Sequence, residues 1–305
     1  MGESASRSSR PVKPTIAVLP GDGIGPEVVS KALESIRSEI AEINMIEAGA
    51  GRYLQTGEIL SDSDLTTIAS SDALLFGAVG DPRIPDGILE RGILLRIRRE
   101  LDLYVNLRPF PELGIVIIRE NTEGAYAGLG RRTGDTAYEV SLNTRRAIAR
   151  CARYACRLAE SRSRKVTLVH KRNVMGFAGD LWAEVARDVA HEFAAIELEY
   201  EHADAAAYHL VATPNRFDVI LTDNLFGDIL SDLAAGLGKG LGVAASANIH
   251  PEESTRPHRC LGLFEPVHGS APDIAGTNTA DPTAAIGAAR MMLAALNNKS
   301  LVSSS

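Results

Sequence analysis

The sequence has little cysteine, no excess of positive charge and no long apolar run. Its three cysteines, Cys151, Cys156 and Cys260, form no C-x-x-C pair. An odd, sparse set in a chain of 305 residues argues against a disulfide framework. It fits a reducing cytoplasm, with the thiols acting as small packing residues. The net charge is −7, with acids and bases interspersed. No basic field exists to hold a nucleic-acid backbone. No apolar stretch is long enough to span a bilayer. The opening MGESASRSSRPVKP lacks the apolar centre of a secretory signal, so residues 1–13 read as a disordered tail. Neither a repeat nor a low-complexity linker is present. What remains, 45% hydrophobic and 23% charged, is ordinary globular composition, with length for one large or two interleaved domains.

Short apolar runs alternate with amphipathic stretches. Thr15 to Leu19, Ala73 to Phe76, Ile115 to Ile118, Lys165 to Val169 and Val219 to Thr222 read as buried strands. Helical patterns run from about Pro26 to Ile40, Thr144 to Ala159 and Asp180 to Phe193. This alternation predicts an α/β sheet with parallel portions. Beyond Asp232 the Ala- and Gly-rich chain reads as close-packed helices and loops.

The loop Gly21-Asp22-Gly23-Ile24-Gly25-Pro26-Glu27 follows a strand but is not a dinucleotide fingerprint, because Pro26 stands where a third glycine is needed. Pro26 suits the first turn of a helix. A tight turn and a role near a cofactor are equally open. In LTDNLFGDILSDL, Asp228 and Asp232 are four apart, which puts both carboxylates on one helix face. Hard oxygen donors suit Mg2+ or Mn2+, although such a pair alone more often marks a solvated acidic face. The apolar neighbours Ile229, Leu230 and Leu233 favour a buried helix. Asp204 is a candidate third carboxylate. Arg98, Arg108 and Arg119, with Tyr126 closing RENTEGAY, could converge on a polycarboxylate, since guanidinium forks bind carboxylates bidentately. Singly, each suits a surface ion pair, and Arg91 has no evident role. Lys171 follows a strand directly and could move a proton, or be an exposed loop lysine. In FEPVHGSAPDIAG, read as a loop, His268 could contact a base, and Asp273 a ribose hydroxyl, favouring NAD over NADP.

The motifs GDGIGPE, RENTEGAY, HKRNV, DNLFGDILSDLAAGL and FEPVHGSAPDIAG occur here in order. With them the chain, from about Thr15 to Leu296, resembles the isocitrate and isopropylmalate dehydrogenase family. The resemblance implies an α/β fold of two domains, 14–108 with 233–305 on the cofactor side and 109–232 on the dimerisation and metal side. The sheet would be mixed, flanked by helices, and not a conventional Rossmann module. It implies a homodimer with shared sites, NAD, and Mg2+ or Mn2+. Arg98, Arg108 and Arg119 would clamp a 2-hydroxy dicarboxylic acid, and Tyr126 would be the general acid. Lys171, with Asn173 nearby, would reach in from the partner subunit and assist proton removal. Asp228 and Asp232 would hold the metal with Asp204 of the other subunit. His268, Gly269, Ser270, Ala271, Asp273 and Ile274 would form the cofactor loop, with Asp281 replacing a common Asn.

Leu94 and Leu95 stand where isocitrate enzymes resemble one another in having Ser and Asn. An apolar wall suits an isopropyl group, worth on the order of 2 kcal/mol. This implies 3-isopropylmalate as substrate, while Arg91 leaves homoisocitrate or a tartrate-like acid open. PFPELG abridges a longer family segment, which keeps a non-catalytic paralogue as the rival expectation.

Overall fold

The computed structural model describes residues 13–302, so all of the expected tail but Lys13 lies outside the described residues. The strands are β1 (Thr15–Gly21), β2 (Glu42–Met45), β3 (Ala73–Ala78), β4 (Val105–Phe110), β5 (Ile115–Glu120), β6 (Gly124–Thr133), β7 (Thr136–Leu142), β8 (Lys165–His170), β9 (Glu197–His202), β10 (Val219–Thr222), β11 (Ala245–Ile249) and β12 (Gly262–Pro266). The helices are α1 (Gly25–Ile36), α2 (Ala50–Thr56), α3 (Asp62–Ser70), α4 (Ile88–Gly92), α5 (Leu94–Glu100), α6 (Arg145–Glu160), α7 (Gly176–Ala190), α8 (Ala203–Ala212), α9 (Asn224–Leu237) and α10 (Thr283–Leu296). No helix among the described residues is long and apolar enough to cross a membrane.

One ten-stranded sheet organises the chain, in the order β2-β1-β3-β12-β11-β4-β5-β10-β8-β9. Its flanks are parallel. The middle, β12-β11-β4-β5, is antiparallel. This is the mixed sheet that the resemblance implied. The expectation of only helices and loops beyond Asp232 is corrected, because β11 and β12 lie there, and FEPVHGSAPDIAG begins inside β12 rather than in a loop. ASANI and GLFEP are short and weak in β-branched residues, so burial between neighbouring strands, not propensity, makes them strands.

The antiparallel middle has two unlike faces. Val105, Leu107, Ile118, Ala247 and Phe264 point into the main apolar cluster. Asn106, Arg108, Arg119, Ser246, Asn248 and Glu265 lie on the alternate positions and are also buried. Period-2 alternation thus gives the centre of the sheet an enclosed polar face.

Two helices run differently from their expected spans. α1 ends at Ile36 and tightens into a 3-10 turn, Arg37–Glu39, while α7 starts four residues early, at Gly176. Pro26 falls in the first turn of α1 as expected. The glycine loop is a tight turn that also packs on the loop after β12. Gly23 has φ +61°, the Ile24 N–H donates to the Ser270 carbonyl at 2.9 Å, and a Cβ on Gly23 would lie 1.9 Å from that oxygen.

Candidate active site

The polar face of the sheet carries the arginines, and α9 lies over it. Arg98 comes from α5 and is buried; its Nη2 donates to Glu265 Oε1 at 3.1 Å. Glu265 also accepts from Asn248 Nδ2 at 2.8 Å. Arg108 Nε donates to Asn106 Oδ1 at 2.9 Å, and its Nη1 donates to Ser231 Oγ at 2.6 Å and Asp232 Oδ1 at 3.1 Å. Its Nη2 lies 3.4 Å from Asp228 Oδ1. Arg119 Nε donates to Asn224 Oδ1 at 2.9 Å, and its Nη1 pairs with Asp228. Tyr126 donates its hydroxyl to Asp228 Oδ2 at 2.5 Å, with the Arg119 guanidinium 5.0 Å from its ring centre. Gly227 lets α9 come this close, since a Cβ there would lie 2.6 Å from Arg119 Cγ.

Charge and burial set the protonation states. Burial pulls the Arg108 guanidinium down to about 10, with Arg119 adding repulsion. Burial lowers Arg98 too, against the attraction of Glu265. Burial would raise the Asp228 carboxyl, but Arg119 and Arg108 outweigh it and hold the group below the ordinary carboxylate range. Asp232 is raised by burial, with the Asp228 charge adding to it. Burial and the bond to Asp228 raise the Tyr126 phenol, so it keeps its proton at neutral pH. With Glu265 counted, the cluster therefore holds three guanidinium groups, three carboxylate side chains and one acid O–H.

The expected one-face arrangement of Asp228 and Asp232 on α9 is present. Their donors are oxygens alone, which suits a hard divalent cation. Among the described residues no group of three or more His, Cys, Asp or Glu side chains is gathered for a metal, so this chain offers the carboxylate pair and no third. The expectation that Ile229 helps bury this helix is corrected: Leu230 is buried, but Ile229 is 57% exposed. At about 100° per residue, Ile229 turns outward with Leu225.

Lys171 and Asp204 lie elsewhere. Lys171 follows β8 directly and Asp204 lies in the first turn of α8; they pair with each other, and among the described residues share no hydrogen bond or ion pair with the arginine cluster. Hydrogen bonding to Lys171 lowers the Asp204 carboxyl. Asn173 is exposed on the turn beyond. On α5, Leu94 packs into the core and Leu95 stays half-buried, four and three residues ahead of Arg98. Arg91 folds against Gly87.

The loop after β12 forms a third region. Gly269, Ser270 and Pro272 line a cleft of about 320 Å3 with Gly80, Asp81 and Glu90. His268 Nδ1 lies 3.0 Å from the Gly269 carbonyl, while its Nε2 is enclosed without a partner among the described residues. A ring nitrogen held that way fits a ligand-facing role. Ala271 takes φ +39°, Asp273 is exposed, and Ile274 is 36% exposed. Asp281 accepts from the Thr283 N–H at 2.9 Å and from the Thr283 hydroxyl at 2.6 Å, and these bonds hold its carboxyl below the ordinary carboxylate range.

Ser246 and Asn248, which carry no motif signal, join Asn106 and Glu265 in one buried network that orients Arg98 and Arg108. Asp223 caps α9 by accepting from the Phe226 N–H at 2.8 Å. An Asp immediately before an apolar helical run is a readable cap signal; the network residues show only as polar positions alternating along strands. His170 is fully buried between Trp182 and Phe226, 3.8 Å from Asp223.

A family model described as isocitrate/isopropylmalate dehydrogenase matches residues 15–301. The chain is 49% identical to the 3-isopropylmalate dehydrogenase of Nocardia farcinica over 298 residues, 91% of this chain and 88% of that protein. It is 48% identical to the 3-isopropylmalate dehydrogenase of Mycobacterium sp. (strain KMS) over 92% of this chain and 88% of that one. Among solved structures, isocitrate dehydrogenase from Methylococcus capsulatus superposes with a TM-score of 0.83 at 38% identity, covering 94% of this chain and 87% of that one. The apo β-decarboxylating dehydrogenase of Thermococcus kodakarensis gives 0.77 at 39%, covering 93% and 83%. With its sheet, its arginine cluster and its ordered motifs, this chain belongs to the isocitrate/isopropylmalate dehydrogenase family.

Proposed function

We propose that this chain oxidises 3-isopropylmalate with NAD and removes its C3 carboxylate as CO2, yielding 2-oxo-4-methylpentanoate for leucine synthesis. The observation that carries the reading is the convergence of Arg108, Arg119 and Tyr126 on Asp228, one turn before Asp232. Arg98, Arg108 and Arg119 take the two substrate carboxylates, and burial strengthens each contact. Lys171 accepts the C2 hydroxyl proton as hydride leaves to NAD. Tyr126, held protonated by its surroundings, returns a proton to the enol carbon left after CO2 departs. Leu95, half-buried beside Arg98, gives the isopropyl group an apolar wall with Leu94, and the relatives named 3-isopropylmalate dehydrogenase support that substrate.

Asp228 and Asp232, with Asp204 of a second copy, would hold Mg2+ or Mn2+. The ion, when bound, sets positive charge against the negative charge developing on the substrate oxygens. His268, the loop to Ile274 and Asp281 hold the NAD adenosine. The working unit is a homodimer. Tyr208 and Val211 on α8 and Leu225 and Ile229 on α9 are exposed apolar side chains, and such a surface favours a partner. A second copy there would bring Lys171 and Asp204 to the neighbouring arginine cluster. The sheet halves on either side of β4 act as the two domains. The three cysteines are free and buried, which suits a reducing cytoplasm.

The test is absorbance of NADH with purified protein, NAD, Mg2+ or Mn2+, and 3-isopropylmalate, beside isocitrate, homoisocitrate, malate and tartrate. Fastest turnover on 3-isopropylmalate is expected. No NADH from any acid would defeat the reading, and preference for another acid would defeat the substrate assignment.

A further inference from the structure

The backbone on both sides of Lys171 is fastened by one side chain from the neighbouring strand. Tyr200 pairs with Leu168 in the parallel β8–β9 register, so its phenol spans the last residues of β8. Its hydroxyl donates to the His170 carbonyl at 2.8 Å and accepts the Arg172 N–H at 3.0 Å. His202 Nδ1 lies 3.1 Å from the same oxygen, with its ring edge-on to the phenol at 5.2 Å between centres. A hydroxyl has one proton and two lone pairs. Here the proton goes to the carbonyl before Lys171, one lone pair takes the N–H after it, and the other faces His202.

The remaining contacts tighten the same segment. Thr222 Oγ1 donates to the Val169 carbonyl at 2.8 Å. The Lys171 carbonyl accepts from the Val174 N–H at 3.0 Å and the Met175 N–H at 2.8 Å. α7 approaches so closely that a Cβ on Gly179 would lie 2.5 Å from Arg172 Cα. A residue just past a strand end ordinarily sits on mobile chain. Lys171 instead has a fixed backbone and a side chain paired with Asp204 alone among the described residues, and a fixed backbone is what a proton-transfer group needs if its nitrogen must arrive in one place.

We infer that Tyr200 is a positioning residue for Lys171, its hydroxyl setting the direction in which the lysine nitrogen is presented. This rests on the proton-transfer role proposed above for Lys171. It predicts that Tyr200→Phe, which keeps the ring and removes only the bridge, lowers kcat roughly tenfold while KM for 3-isopropylmalate stays close to wild type.

The test is a double-mutant cycle of Tyr200→Phe and Lys171→Ala, with steady-state rates at saturating NAD and Mg2+ and a thermal melt of each protein. The Lys171→Ala proteins are followed for hours at high enzyme concentration. Loss of kcat in the Tyr200→Phe protein, with none in the Lys171→Ala background, supports the inference, because a group acting through the lysine has nothing left to act on. The same factor lost in both backgrounds, or no loss in either, overturns it. A Tyr200→Phe protein that melts far lower while its folded fraction turns over normally makes the hydroxyl a stability element and overturns it too. Normal turnover by Lys171→Ala alone is a separate result; it removes the role of the lysine and this inference with it.

Discussion

The arginine cluster and the Lys171–Asp204 pair are built in opposite ways. Arg98, Arg108 and Arg119 are buried at the centre of the sheet, each held by a neutral or acidic partner, and meet Asp228 and Tyr126 within one chain. Lys171 and Asp204 stand at the far side of the sheet, with side chains 25% and 68% exposed, and bond to each other. Taking three guanidinium groups out of water is costly, and Glu265, Asp228 and Asp232 offset them one for one. A divalent cation on Asp228 and Asp232 would tip that balance toward positive charge and so favour a dianionic acid. The pair carries no such bias and lies beside exposed apolar helix faces. On the reading proposed above, the first region serves as a preorganised receptor and the second as an arm presented outward.

The largest expected effect falls on the arm. Lys171→Ala should lower turnover on the order of a thousandfold with little change in KM, because it removes proton transfer rather than binding. Steady-state kinetics would break the comparison if KM rose instead.

The joint between the regions comes next. His170 precedes Lys171, and Asp223 caps the helix that bears Asp228. Burial pushes His170 from 6.5 down to about 4 and Asp223 from 3.8 up to about 6. Stability from the neutral histidine is present above pH 6.5 and is lost as pH falls toward 4. Stability from the protonated aspartic acid is full below pH 3.8 and is lost as pH rises through about 6. The two oppose each other between pH 4 and 6. Asp223→Asn keeps the cap and leaves the histidine alone. Between pH 6.5 and 4.5 it should lose about 2 kcal/mol relative to wild type, which gains that much by protonating Asp223, as measured by denaturant melts. Parallel curves for the two proteins would show that the fold does not hold the Asp223 carboxyl raised.

The receptor predicts smaller changes. Arg108→Lys should raise KM for 3-isopropylmalate roughly tenfold with kcat less affected, because an ammonium cannot reproduce the fork that reaches Asn106, Ser231 and substrate together. Leu95→Ala should cut the kcat/KM preference for 3-isopropylmalate over malate by about 1–2 kcal/mol. An unchanged preference would place the isopropyl group elsewhere.

The two regions were not equally legible in the sequence. The i, i+4 spacing of Asp228 and Asp232, the strands flanking Arg119 and Lys171, and Pro26 at the start of α1 follow from local rules. β11 and β12 do not, because ASANI and GLFEP are strands only through their neighbours. With them went the polar face, since Ser246 and Asn248 meet Asn106 across 140 and 142 residues of chain and themselves bond to Glu265. Ile229 looked like core by hydrophobicity alone; its outward turn appears only once the helix is set against the sheet. The resemblance supplied the grouping of the arginines, and the strand register gave its physical reason.

The claim that one region serves as receptor and the other as arm for a second copy is tested most directly by mixing two inactive variants. Lys171→Ala and Asp228→Asn proteins are unfolded together, refolded, and assayed for NADH. Mixed dimers would contain one intact site in two, so activity should return to about a quarter of wild type if pairing is random. Refolded wild type that is fully active beside a mixture that stays inactive would mean that Lys171 and Asp228 must come from the same chain, contradicting the account.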